Sequence, residues 1–234
     1  MERILRAGDR WAEALALALA TIPRPIPVDP RLMPRLEGEP AGPVEPALTR
    51  YDRSTFPPPR LASTLLLLYP GADGELRLPL TVRTADLRSH GGEVSLPGGA
   101  VDPSDASREA AALREAWEEV GVPPAAVRVL GALDDVWIPV SNFDLRPYVG
   151  VTASRPELVP HAAEVAAIVE LPVRSLLADE GISDELIQGP GWVVRAGGYR
   201  HEGHLIWGAT ARALAMFATV LRAAGESPPE AGRP

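Results

Sequence analysis

Three glutamates and an arginine in one short segment carry the densest chemistry of this chain. The segment reads Arg114-Glu115-Ala116-Trp117-Glu118-Glu119-Val120-Gly121-Val122, with acids at i, i+3 and i+4. At roughly 100° per residue of helix, Glu115, Glu118 and Glu119 fall within roughly a quarter-turn of one another. Leu113, Trp117 and Val120 fall on the opposite side, with Ala110 beside them, and form the expected core face. Like charges at this spacing repel by a few tenths of a kcal/mol per pair. They also sit near the helix C-terminus, where the macrodipole disfavours anions. A divalent cation reverses the sign of both effects, and Mg²⁺ or Mn²⁺ takes oxygen ligands while binding phosphate. A solvated acidic face is the competing reading, and the helix alone does not choose between them.

The loop before the helix favours the cation. Leu96-Pro97-Gly98-Gly99 lets backbone approach a ligand closely, and the Gly99 carbonyl is a candidate metal ligand. Asp105 either accepts from the helix N-terminus or pairs with Arg114. Glycine loop, acid, Arg-Glu and Glu-Glu-x-Gly together point to a metal that handles phosphate.

Around this centre the sequence predicts a helix over 107–120, ended by Gly121 and Pro123-Pro124. Leu61–Tyr69 reads as a buried strand and Leu76–Val82 as its return, turning at Pro70-Gly71. Further strands are expected at 127–133, 145–151 and 165–171, then a short helix near 173–177. Trp192–Arg195 and Tyr199–His204 read as a hairpin turning at Gly197-Gly198. A last helix spans 209–224, with Leu214, Phe217 and Leu221 on one face. The mixture without regular alternation predicts an α+β fold, a mixed sheet with helices packed on it. At the N-terminus, Ile4, Trp11, Leu15 and Ile22 mark one amphipathic helix rather than a signal peptide, since Glu13 interrupts the apolar run. Residues 23–59 are Pro-rich and read as an extended strap. The expected organisation is helix and arm over 1–59, the main domain over 60–225, and a disordered tail over 226–234.

Composition removes other chemistries. The 234 residues include no Cys, and all 23 basic residues are Arg. Disulfides, thiolate zinc sites, Cys nucleophiles, Lys Schiff bases and P-loops are thereby excluded. Net charge is −8, with 31 acids, which argues against a broad nucleic-acid surface. No apolar run is long enough to span a bilayer. His201 and His204 lack a third partner for zinc and read as surface residues; Trp207 reads as core.

The pattern resembles the Nudix box. Gly99, five residues, Asp105, then Arg114-Glu115, Glu118-Glu119 and Gly121 follow its order, with Asp for the usual Glu and eight residues before Arg114 where seven are usual. The longer loop, Gly98-Gly99-Ala100-Val101-Asp102-Pro103-Ser104-Asp105, is similar to the coenzyme A pyrophosphatase branch. So is the upstream run Leu80-Thr81-Val82-Arg83-Thr84, Arg88, Gly92 and Leu96-Pro97-Gly98-Gly99, where Thr84 and Leu96 are mild departures. Ser141 to Pro147, Glu164 to Pro172 and Ile206 to Thr210 extend the likeness over roughly 60–222.

The resemblance implies a Nudix-like α/β/α sandwich. It also implies Mg²⁺- or Mn²⁺-dependent cleavage of the diphosphate of coenzyme A or its thioesters. Glu115, Glu118, Glu119 and Gly99 are the expected metal ligands, with Arg114 orienting a catalytic Glu. Glu164 is the expected base or extra ligand, with Asp134 and Asp135 as alternatives and geometry to decide. Arg83, Arg88 and His90 are the expected phosphate contacts, although Arg83 on a strand also suits a structural role. The partner is then a small molecule in the cytoplasm, with no nucleic acid or membrane, and a homodimer is compatible. Other diphosphates (ADP-ribose, NADH) or a non-catalytic nucleotide-sensing module are the competing readings, because fold alone does not fix function.

Overall fold

The computed structural model describes residues 1–8, 10–36, 53–84, 92–178, 182–189 and 192–226. Arg88, His90 and the tail from 227 onward lie outside the described residues.

The strand β2 (Arg60–Pro70) organises the fold. Its continuous apolar run is buried on both faces, as a central strand requires. Leu65, Leu67 and Tyr69 meet one core cluster, while Leu66 and Leu68 meet another. β2 runs parallel to β8 (Phe143–Val151), from Arg60 opposite Phe143 to Leu68 opposite Val151. At its far end β2 turns into β3 (Leu76–Arg83), and Tyr69 pairs with Arg77. At its near end it pairs instead with the short β5 (Gly98–Ala100), Thr64 opposite Gly98. β4 (Val94–Ser95) and β9 (Val165–Pro172) flank β3, while β6 (Arg128–Ala132) and β7 (Val136–Ile138) flank β8. The result is an eight-stranded mixed sheet in an α+β fold.

Helix α3 (Arg108–Val120) covers one face and α4 (Gly208–Glu226) packs in the opposite core cluster. α4 shares that cluster with two N-terminal helices, α1 (Glu2–Leu5) and α2 (Trp11–Thr21). The expected single N-terminal helix is thus two, broken where Ala7 and Arg10 take positive φ. Residues 22–36 make no long helix, in keeping with their prolines. They form a strap whose Ile26 and Leu32 are buried, and whose end, β1 (Arg35–Leu36), pairs with β11 (Trp192–His201). Asp134 ties the strap to the sheet, accepting from the Arg24 guanidinium and, at 2.6 Å, from the Ile26 N–H.

β11 is where the sequence expectation fails. Gly197 and Gly198 do not turn; β11 passes straight through them, between β10 (Ile182–Gly189) and β12 (His204–Ile206). A Cβ on Gly197 would stand 2.8 Å from the Arg31 carbonyl oxygen, and one on Gly198 would stand 2.7 Å from that of Ile206. These glycines serve close backbone approach, and the turn falls at Glu202-Gly203, both at positive φ.

A second correction concerns α3. Its core face is Ala112, Ala116 and Val120, not Leu113, Trp117 and Val120. Leu113 packs at the edge, and Trp117 is 58% exposed. The small alanines let the helix lie close on β2, which a Trp would hold away. Trp117→Ala is therefore expected to change stability by no more than ~0.5 kcal/mol, read from the urea midpoint. A core role would show a loss of ~3–5 kcal/mol. Among the described residues no helix is long and apolar enough to cross a membrane.

Candidate active site

Both ends of α3 are fixed locally. The Ser107 hydroxyl accepts from the Ala110 N–H at 3.0 Å, an N-cap. At the other end Gly121 takes the left-handed conformation (φ 77°), and its N–H reaches the Trp117 carbonyl. Two further helix carbonyls are met by a returning loop: Val159 N–H to Val120 and His161 N–H to Glu119, both 3.0 Å. This loop carries Glu164 to the C-terminal end of the helix. The Glu164 carbonyl then accepts from the Thr84 N–H at 3.0 Å. A bulge between Val82 and Arg83 turns the end of β3 at this rim.

Glu115 and Glu119 sit against the β5 loop. The Gly98 N–H donates to Glu119 Oε2 at 3.1 Å. A Cβ on Gly99 would fall 2.5 Å from Glu115 Oε1, so the missing side chain is what admits that carboxylate. Glu119 is 3% exposed. Burial pushes its carboxyl up to about 7; the Gly98 N–H opposes this, Glu115 adds to it, Arg83 opposes it and Glu164 adds to it. Burial also raises Glu115, against the pull of Arg114. Arg83 and Glu164 thus act electrostatically on the same buried carboxylate.

Arg114 is the hub of the fixed charges. Its Nε and Nη2 donate to the two Asp105 oxygens at 3.0 Å each, and its Nη1 donates to Glu115 at 3.0 Å and Glu118 at 2.8 Å. Nη2 also reaches the Ala100 carbonyl at 3.2 Å. The guanidinium holds Asp105 below the usual carboxylate range. The extra residue between Asp105 and Arg114 leaves this pair intact. Asp105 is itself held in a turn just before the helix, where the Asp102 N–H donates to Asp105 and the Ser104 N–H donates to Asp102, both at 2.8 Å. Lysine offers three donors without a planar fork. Arg114→Lys is expected to lower kcat ~10–100-fold, as loss of an orienting partner does. KM should change less; a larger rise in KM than fall in kcat would count against an orienting role.

The sequence-predicted residues therefore divide. Glu115, Glu119, Gly99, Arg83 and Glu164 gather around one spot, with Glu164 exposed at its rim. Glu118 is 53% exposed and engaged by Arg114. Asp135 is bound elsewhere, to Arg146 at 2.7 and 2.8 Å and to Arg108 at 3.3 Å. Asp134 holds the strap. His201 and His204 are a cross-strand pair. Among the described residues no three His, Asp or Glu side chains already converge as a metal cage. Yet a buried Glu119 and a partly buried Glu115 that raises it, beside a loop stripped of side chains, are a donor set for a hard divalent cation. Glu164 was singled out from sequence, but the capping of the helix by residues 158–161 was not; that stretch has no periodicity, and only Pro160 hints at a break.

A family model for the NUDIX domain matches residues 59–187. The chain belongs to the Nudix family. Among curated Nudix proteins, Nudix hydrolase 22, chloroplastic, of Arabidopsis thaliana is 37% identical over 171 residues, covering 70% of this chain and 56% of that protein. Nudix hydrolase 15, mitochondrial, of the same plant is 35% identical over 170 residues, covering 69% and 59%. The uncharacterized Nudix hydrolase NudL of Cronobacter sakazakii is 52% identical over 102 residues, covering 43% and 52%. The chain thus spans a little over half the length of these relatives. Among solved structures, the M. smegmatis Nudix hydrolase RenU shares 25% identity at a TM-score of 0.43, over 51% of this chain and 74% of that one.

Proposed function

We propose that this Nudix protein hydrolyses the diphosphate of coenzyme A or its thioesters to 3′,5′-ADP and (acyl-)4′-phosphopantetheine. The observation that carries the reaction class is the pairing of buried Glu119 and partly buried Glu115 against Gly98-Gly99. Burial raises both carboxylates, and above pH 7 a bound divalent cation would offset that penalty. Mg²⁺ or Mn²⁺ held by Glu115 and Glu119, with Glu118 and the Gly99 carbonyl as further oxygen donors, would neutralise charge on the diphosphate oxygens.

The chain's own residues do the rest. Arg114, itself fixed by Asp105, orients Glu115 and Glu118. Glu164 stands at the rim as proton acceptor for the attacking water. Its oxygen adds to one phosphorus while the bridging oxygen leaves with the other phosphate. Arg83 offers a planar cation to the phosphates. The substrate reading rests on the run from Leu80 to Gly99, whose Arg83 acts on Glu119. On the same resemblance the protein is a small-molecule enzyme of the cytoplasm, with a homodimer as a compatible assembly.

Incubation with coenzyme A, ADP-ribose or NADH and Mg²⁺ or Mn²⁺, followed by chromatography, tests this. Metal-dependent release of 3′,5′-ADP from coenzyme A is expected. Turnover of another diphosphate alone would keep the reaction and overturn the substrate.

A further inference from the structure

Two guanidinium groups fasten α3 to one rung of the sheet. At the first residue of the helix, Arg108 Nη2 donates to the Ala62 carbonyl of β2 at 2.9 Å and to the Asp144 carbonyl of β8 at 2.6 Å. Further along the helix, Arg114 Nη2 donates to the Ala100 carbonyl of β5 at 3.2 Å. Ala62 and Ala100 face each other in the β2–β5 ladder, followed by Ser63 opposite Gly99 and Thr64 opposite Gly98. The two arginines therefore hold the two strands of a single rung. That rung adjoins the glycines against which Glu115 and Glu119 sit.

Arg114 belongs to the site already described, and Arg108 does not. The Arg108 side chain is 14% exposed, and its Nε is buried without a hydrogen-bond partner. Its carboxylate partner, Asp135 at 3.3 Å, is itself gripped by Arg146 at 2.7 and 2.8 Å. Sequestering a cation with one N–H unmet costs stability, so packing alone does not account for an arginine here. Register does. Apolar burial is non-directional, and the face of α3 against β2 includes Ala112 and Ala116, whose low ridges resist sliding weakly. A slide of ~1 Å along the axis, less than the ~1.5 Å rise of one residue, would keep that packing. It would also draw Glu119 away from the Gly98 N–H. Bonds from Arg108 to two neighbouring strands oppose such a slide.

We propose that Arg108 is a positioning residue for the catalytic centre, fixing α3 along β2 so that Glu115 and Glu119 meet Gly98-Gly99. The catalytic consequence rests on the diphosphate-hydrolysis reading above; the geometric consequence does not. Arg108→Gln and Arg108→Lys would be compared with the parent chain by residue-resolved amide hydrogen exchange in EDTA, and by kcat and KM with coenzyme A and Mg²⁺. In Arg108→Gln the Gly98 amide should exchange at least ~10-fold faster, as loss of bonds from a charged donor allows. Amides of the β3–β9 ladder should change much less. kcat should fall at least ~10-fold with KM nearly unchanged. A single nitrogen makes both carbonyl bonds, so the shorter Arg108→Lys should recover part, but not all, of each loss. Where Arg108→Gln does not fold, that intermediate pattern in Arg108→Lys carries the test. Equal acceleration of Gly98 and the β3–β9 ladder would mark a plain stability role and overturn the proposal. So would a Gly98 amide as protected in either variant as in the parent chain, or an unchanged kcat beside a faster Gly98. A parent chain that hydrolyses no diphosphate would overturn the proposed reaction, and the exchange pattern would still decide whether Arg108 sets the register.

Discussion

Glu119→Gln is expected to lower kcat/KM by more than ~100-fold while making the metal-free protein more stable at pH 8. The activity loss follows from removing a proposed cation ligand, since even outer partners of a metal site are worth ~10–100-fold. The stability gain follows from the burial of the carboxylate. Its ordinary value of 4.5 rises to about 7 in the fold. Between those values the folded chain holds a proton that the unfolded chain has released. Stability therefore falls as pH climbs from about 4.5, and the full penalty is present above about 7. At ~1.4 kcal/mol per pH unit, the penalty is on the order of 3 kcal/mol. The introduced amide keeps an oxygen for the Gly98 N–H and carries no charge. In EDTA the variant should melt above the parent chain at pH 8 and close to it at pH 4.5. With excess Mg²⁺ the gap should shrink, because only the parent chain gains from the cation. A variant that melts lower in EDTA at pH 8 would contradict the electrostatic account.

The two loop glycines should fail differently. A Cβ on Gly98 would stand 2.4 Å from the Ser63 carbonyl oxygen and 2.6 Å from the Thr64 Cα. Both are backbone of the central strand and have nowhere to go. Gly98→Ala is expected to cost ~1–3 kcal/mol and to loosen β5 from β2. A Cβ on Gly99 meets the end of the Glu115 side chain, which can swing aside. Gly99→Ala should therefore fold, losing less than ~1 kcal/mol, yet turn over at least ~100-fold more slowly, as displacement of a reacting group by ~1 Å does. Denaturant midpoints and kcat measured on both variants separate the two effects. Equal stability losses would refute the distinction.

What the sequence carried was what local rules determine. α3 was legible because Ser107 and Gly121 punctuate it and because its acids repeat at helical spacing. β2 was legible because the ten residues that follow Arg60 in it carry no charge, as suits a buried strand. The inward side of α3 was misjudged because hydrophobicity favours Trp117, whereas approach distance to the sheet favours Ala112 and Ala116. The glycine pair in β11 was misjudged because turn chemistry and close backbone approach select the same residue. Long-range geometry left no local trace. Nothing in residues 158–164 announces that they cap α3, and nothing near Arg83 announces its closeness to Glu119. The spacing of the box residues did announce the helix and the loop that bring Glu115 and Glu119 against Gly98 and Gly99.

The packing of α1 and α2 on α4 also sets an order of events during synthesis. Ile4, Leu15 and Leu19 belong to the same core cluster as Leu214, Phe217 and Leu221, and Met1 touches Gly225. A chain leaving the ribosome N-terminus first shows these early apolar side chains to solvent until residues 208–226 emerge. Closure across so long a sequence separation is slow to nucleate, and the waiting segment is exposed to aggregation or to chaperones in the interval.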